Sequence, residues 1–133
     1  MHSHPIASPL APLEVEVERH ADHVVVRTRV LVERDAPYMG GHFPDLVVLP
    51  GVFMLEAAVR AAARAWPHTG EPRLLAVRSM RFLAPALEGD AIDIAATVRP
   101  LADGRLDVDA SCRRADRTVA ARLRLELGEA RDA

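Results

Sequence analysis

Lysine is absent from this sequence; all 17 basic residues are arginine. Beside the abundance of alanine, that reads as the codon bias of a GC-rich genome rather than a functional choice. Cysteine is nearly absent as well. The single Cys112 excludes an internal disulfide and fits a reducing compartment. No apolar run reaches the ~18–20 residues of a membrane span. Met1-His-Ser-His-Pro5 lacks the charged and apolar regions of a signal peptide, so a cytoplasmic, membrane-free protein is expected. Charge of one sign is lacking too: a net charge of −2 argues against nucleic-acid binding by bulk charge. His2 and His4 fall in a Pro-rich tail and read as solvated, and no metal or cofactor is expected.

What is present is an ordinary folding composition, 50% hydrophobic and 27% charged over 133 residues, enough for one core. Residues 1–12 read as a loose tail, 13–127 as one domain and 128–133 as a polar tail. Apolar and charged residues alternate from Leu13 to Arg19, and a Val-rich run follows from His23 to Glu33. With the turn His20-Ala-Asp22 between them, they predict a hairpin. Four further strands are predicted at Leu74–Phe82, Ala91–Arg99, Leu106–Arg113 and Thr118–Leu127, linked by short turns at Glu88-Gly-Asp90, Ala102-Asp-Gly104 and Arg114-Ala-Asp116. Short links favour antiparallel neighbours. Cys112 falls on a strand as a small buried hydrophobe.

Between the hairpin and these strands lies a Gly- and Pro-rich loop that runs into a helical pattern. Pro50 and Gly51 mark the junction, and Pro67 ends the helix that fills Gly51 to Trp66. That helix is apolar nearly all round, which predicts burial on every side. Glu56 in its second turn is therefore conspicuous, because a buried Glu needs a partner. A curved antiparallel sheet wrapped around the helix would cover it, an α+β arrangement.

Gly41-His42-Phe43-Pro44, Val48-Leu49-Pro50-Gly51-Val52 and Leu55-Glu56-Ala57 resemble the signature of the hotdog-fold (3R)-hydroxyacyl-acyl-carrier-protein dehydratases. Glu56 follows His42 by 14 residues, as in that family's pattern. Ala36-Pro37-Tyr38, Val77-Arg-Ser-Met-Arg81-Phe82, Pro85 and Gly89-Asp90 extend the resemblance along most of the chain. Three positions depart from it. Asp45 stands where the pattern has Gly, Val47 where it has Pro, and Arg60 where it has Gln.

Removing water from a 3-hydroxyacyl thioester takes a base at C2, an acid at the C3 hydroxyl and a donor to the thioester oxygen. His42 suits the base, since an imidazole titrates near working pH. Glu56 suits the acid, since an apolar setting favours its protonated form. The resemblance implies that the Gly51 N–H binds the thioester carbonyl and that the Val48 carbonyl orients His42. It further implies a cofactor-free site shared by two subunits, with the acyl chain in a tunnel between them. Phe43 and Tyr38 would line that site, although Tyr38 equally suits covering the core. Glu56 and Arg60, four residues apart, could instead form a simple helix pair. The cost of desolvating a buried pair favours an Arg60 that snorkels outward.

The resemblance thus implies dehydration of a (3R)-3-hydroxyacyl chain carried on the phosphopantetheine of an acyl carrier protein, in fatty-acid or polyketide synthesis, by a homodimer. Arg64, Arg73, Arg78 and Arg81, at the helix end and on the next strand, are expected to meet the acidic carrier. The alternatives are a hotdog thioesterase, which would not need His42, and a non-catalytic subunit paired with an active homologue, which Asp45 and Arg60 favour.

Overall fold

The structure is a computed structural model that describes residues 14–32 and 51–129. These hold strands β1 (Glu16–Arg19) and β2 (Val24–Leu31), helix α1 (Gly51–Ala63), and strands β3 (Arg73–Phe82), β4 (Ala91–Pro100), β5 (Leu106–Arg113) and β6 (Val119–Gly128). Every element falls where the hydrophobic pattern places one. The strands form a single antiparallel sheet in the order β1-β2-β4-β5-β6-β3.

Period-two alternation explains which face is which. Val26, Thr28 and Val30 of β2, Ile92 to Val98 of β4, Leu106 to Cys112 of β5 and Leu123 to Leu127 of β6 send every second side chain into the core. Buried Thr28 is satisfied there, its hydroxyl donating to the Glu14 carbonyl at 2.7 Å. Helix α1 crosses this inner face and touches β2, β4, β5 and β6. An antiparallel sheet wrapped around a helix is the hotdog fold.

The turns are built where Gly supplies left-handed backbone. Gly104 has φ 88° in the β4–β5 turn, closed by the Leu101 N–H donating to the Arg105 carbonyl at 2.7 Å. Gly89, also at φ 88°, donates its N–H to the Val32 carbonyl, and Val32 donates to the Asp90 carbonyl, both at 2.9 Å. This clasp fixes the end of β2 against the start of β4.

Two expectations need correction. Short links do not make β3 and β4 neighbours: β3 pairs with β6 at one edge, while β4 lies between β2 and β5. The Gly89–Val32 clasp carries the β3–β4 link to the far side of the sheet. Helix α1 is also not buried all round. Met54, Ala57, Ala58, Ala61 and Ala62 form a fully buried stripe. Val52, Leu55, Glu56, Val59, Arg60 and Ala63 form the opposite stripe and are half-buried or exposed. One sheet covers one face of a helix. The helix ends three residues before Trp66, in tightened turns: the N–H groups of Arg64, Ala65 and Trp66 donate to the carbonyls of Ala61, Ala62 and Ala63.

Candidate active site

Gly51 opens α1 with the Phe82 ring packed close over it. A Cβ there would lie 2.5 Å from Cζ of Phe82 and 2.7 Å from its Cε1. Phe82 is the last residue of β3, so its ring ties the edge strand to the start of the helix. The first N–H groups of any helix lack intrahelical acceptors and favour negative charge. The Phe82 ring, 49% exposed, forms an apolar wall beside them.

Glu56 lies one and a half turns further along the open stripe. Its Oε2 is 3.5 Å from Nε of Arg60, and both side chains are 33% exposed. This overturns the expected outward Arg60. On a half-exposed stripe neither charge is fully desolvated, so the penalty that favours separation is small. The order acid then base at i, i+4 also suits the helix dipole. Val52, Leu55 and Val59 flank the pair and give the open stripe its apolar remainder.

Tyr38, His42, Phe43 and Val48, with the departures at Asp45 and Val47, lie outside the described residues. The four arginines expected to meet a carrier do not gather. Arg73 begins β3 and Arg81 nearly ends it, while Arg64 follows the helix. Arg78 donates to Glu126, a carboxylate on β6 that is 5% exposed, and Arg105 donates to the same carboxylate from the other side. Arg105 is further held by Asp103, Nε to Oδ2 at 2.5 Å. Glu126 was not apparent in the sequence as a buried charge, because the arginines that neutralise it come from β3 and the β4–β5 turn.

Other titratable groups sit away from the helix start. Cys112 is fully buried, and desolvation pushes its thiol up to about 12. His20 and His23 stack at the β1–β2 turn with ring centroids 4.5 Å apart. His20 meets Glu18 at 2.5 Å and His23 meets Asp22 at 2.6 Å, and these contacts lower both carboxylates. Among the described residues, no His, Cys, Asp or Glu cluster is arranged to hold a metal. No helix among them is long and apolar enough to cross a membrane. A groove of about 1040 Å3 lies on the outer sheet face, lined by Arg27, Arg29, Asp93, Ala95, Ser111 and Arg113 among others. It is separated from α1 by the sheet itself.

The family profile described as "ApeI-like: ApeI dehydratase" matches residues 16–122. The 3-hydroxyacyl-[acyl-carrier-protein] dehydratase FabZ of Magnetococcus marinus is 32% identical over 91 residues, 63% of this chain and 58% of that enzyme. The chain thus spans little more than half the length of this curated relative. Among solved structures, the dehydratase heterocomplex ApeI:P from Xenorhabdus doucetiae superposes with a TM-score of 0.68. It is 18% identical and covers 90% of this chain and 100% of that one. A putative thioesterase, yhdA of Lactococcus lactis, has the same TM-score of 0.68 at 10% identity, covering 90% and 92%. The two likenesses show a shared fold.

Proposed function

The chain belongs to the ApeI-like dehydratase family, and we propose that it removes water from a (3R)-3-hydroxyacyl thioester on an acyl carrier protein, giving the trans-2-enoyl thioester. The observation that carries this reading is a carboxyl group, Glu56, on the open apolar stripe of a helix whose first residue is packed bare against Phe82. A carboxyl group, an apolar lining and the first N–H groups of the helix then stand within two turns of one another.

In this reading His42 takes the proton from C2. The electron pair forms the C2–C3 double bond, the C3–O bond breaks, and the hydroxyl leaves as water with the proton of Glu56. The Gly51 N–H holds the thioester oxygen as charge builds there, the Val48 carbonyl orients His42, and Phe43 and Tyr38 line the chain path. The acyl chain runs along Val52, Leu55 and Val59. Two copies complete the site, joined through the open edge of β3, where Leu74, Leu75 and Val77 are exposed. The pathway is fatty-acid or polyketide synthesis and the setting cytoplasmic.

A second reading has its own observation. Arg60 at 3.5 Å engages the Glu56 carboxyl, a contact that competes with its use on a substrate. Such a chain would serve as the non-catalytic subunit of a heterodimer. Mass spectrometry of 3-hydroxyacyl carrier proteins of several lengths, incubated with the protein alone, separates the two. Loss of 18 Da that His42→Ala and Glu56→Ala each abolish supports the dehydratase. No loss at any length sinks it. Cleavage of the thioester that survives His42→Ala identifies a thioesterase instead.

A further inference from the structure

The first turn of α1 is embedded less than the turns that follow it. Within residues 51–54 only Met54 is buried; Gly51 and Phe53 are half-buried and Val52 is exposed. Glycine is also the residue whose own side chain constrains its peptide least. What meets Gly51 comes from β3. The Cζ end of the Phe82 ring points at it: a Cβ there would lie 2.5 Å from Cζ, 2.7 Å from Cε1 and 3.1 Å from Cε2. The backbone that carries this ring is held on β6. Phe82 pairs with Ala121, and the N–H groups of Leu83 and Ala84 both donate to the Ala120 carbonyl, at 2.8 and 3.2 Å. Ala120 and Ala121 are fully buried. Helix α1 rests on β2, β4, β5 and β6, and the Phe82 ring adds a contact from β3 at the helix's first residue.

We propose that Phe82 is a positioning residue: its ring holds the Gly51 peptide so that the N–H meets a thioester oxygen, and it keeps water off that side of the donor. This rests on the reading above, in which Gly51 is the donor, and adds the group that aims it. A donor to a developing oxyanion acts most strongly when it is fixed beforehand in a site that excludes water. A ring carried by a hydrogen-bonded strand end supplies both conditions at a glycine that cannot supply them itself. The edge of an aromatic ring also suits the place, because its C–H rim is the electropositive part of the π-system and Cζ belongs to that rim. Phe82 touches no reacting atom in this role; it acts through Gly51.

The test uses the full chain and two pantetheine thioesters of equal chain length, one 3-hydroxyacyl and one saturated, which has no water to lose. Turnover of the first is followed kinetically, and the second is titrated while the Gly51 amide resonance is observed by NMR. Phe82→Ala should lower kcat about tenfold, part of the ~10²–10³ lost when an oxyanion donor is removed outright. KM should move less than about threefold, because the hydrogen bond tightens as charge builds. Phe82→Met, whose unbranched chain still reaches towards Gly51, should lose less than about threefold in kcat. Val17→Ala on the opposite edge strand should turn over as the native protein does. The saturated thioester should shift the Gly51 resonance in the native protein and at most half as far in Phe82→Ala. The inference is overturned if Phe82→Ala alters KM alone or keeps kcat within about twofold. It is also overturned if Phe82→Met or Val17→Ala loses as much, or if the Gly51 resonance shifts equally in Phe82→Ala. A Phe82-dependent shift without turnover would keep the hold on the donor and remove the dehydratase reading. Turnover with a Gly51 resonance indifferent to Phe82 would do the reverse, and a native protein that shows neither turnover nor a shift would sink both.

Discussion

The phenyl ring of Phe82 lies directly over Gly51, so the edge strand β3 and the first residue of α1 share one contact. Gly51→Ala would place a methyl group 2.5 Å from the ring and force it aside. Overpacking of this kind destabilises by about 1–3 kcal/mol. The low end applies, because a half-exposed ring can swing away. Phe82→Ala in the same chain should restore much of the loss, a coupling that denaturation of the four-member mutant cycle measures. Additive effects would show that the contact is not felt.

Arg60→Gln should speed dehydration. The contact at 3.5 Å turns the Glu56 carboxyl towards Arg60, and removing the guanidinium lets it turn to the substrate instead. General acid help is worth ~10²–10⁴-fold. Partial exposure screens the pair, so a rise of roughly tenfold is expected, equivalent to about 1.4 kcal/mol in barrier. Single-turnover kinetics reads this directly. An unchanged or lower rate means that Arg60 does not govern the proton.

Glu126 makes an asymmetric prediction. Arg78 and Arg105 are 58% and 40% exposed in their side chains, so both can rehydrate if the carboxylate is lost. The carboxylate, at 6%, cannot. Removing both arginines strands a buried charge and should destabilise by about 3 kcal/mol. Glu126→Gln should lose only about 1 kcal/mol. Urea midpoints in the opposite order would contradict the clamp.

Burial raises the Cys112 thiol from its ordinary 9.0 to about 12. The folded chain therefore resists the thiolate that the unfolded chain forms. Stability from this source is complete below pH 9 and drains away as pH climbs toward 12. Between pH of about 9 and 10.5 the native protein should lose about 2 kcal/mol more than Cys112→Ala. With no lysine in the chain, few other groups titrate there. Parallel pH curves for the two proteins would refute the shift.

The element pattern was legible because alternation and Gly or Pro turns are local signals. All six strands and the helix sit where Val24–Leu31, Ala91–Pro100 and their like declare themselves. The place of β3 was not legible. Its link to β4, residues 83–90, carries the same Gly and Asp turn residues as the shorter links, and the Gly89–Val32 clasp that ties it to β2 joins segments far apart in sequence. Within the candidate site, Glu56 was visible as a carboxyl in an apolar helix. The Phe82–Gly51 contact and the burial of Glu126 were not, since each joins segments far apart in sequence. The lean of Arg60 was misread because the helix pattern shows hydrophobicity on every side but not which side the sheet leaves open.

The alanines of α1 set how this protein can change. Ala57, Ala58, Ala61 and Ala62 bring the helix backbone down close on the sheet, and enlarging any of them pries the core apart. Leu55 and Val59 are half-buried and meet the core only at its margin, so altering them disturbs that packing less. Stability is written on one side of the helix and the lining of the proposed acyl path on the other. Under the proposed function, mutations that lengthen or shorten the accepted chain would fall there at less cost to the fold, which would make this helix an evolvable ruler.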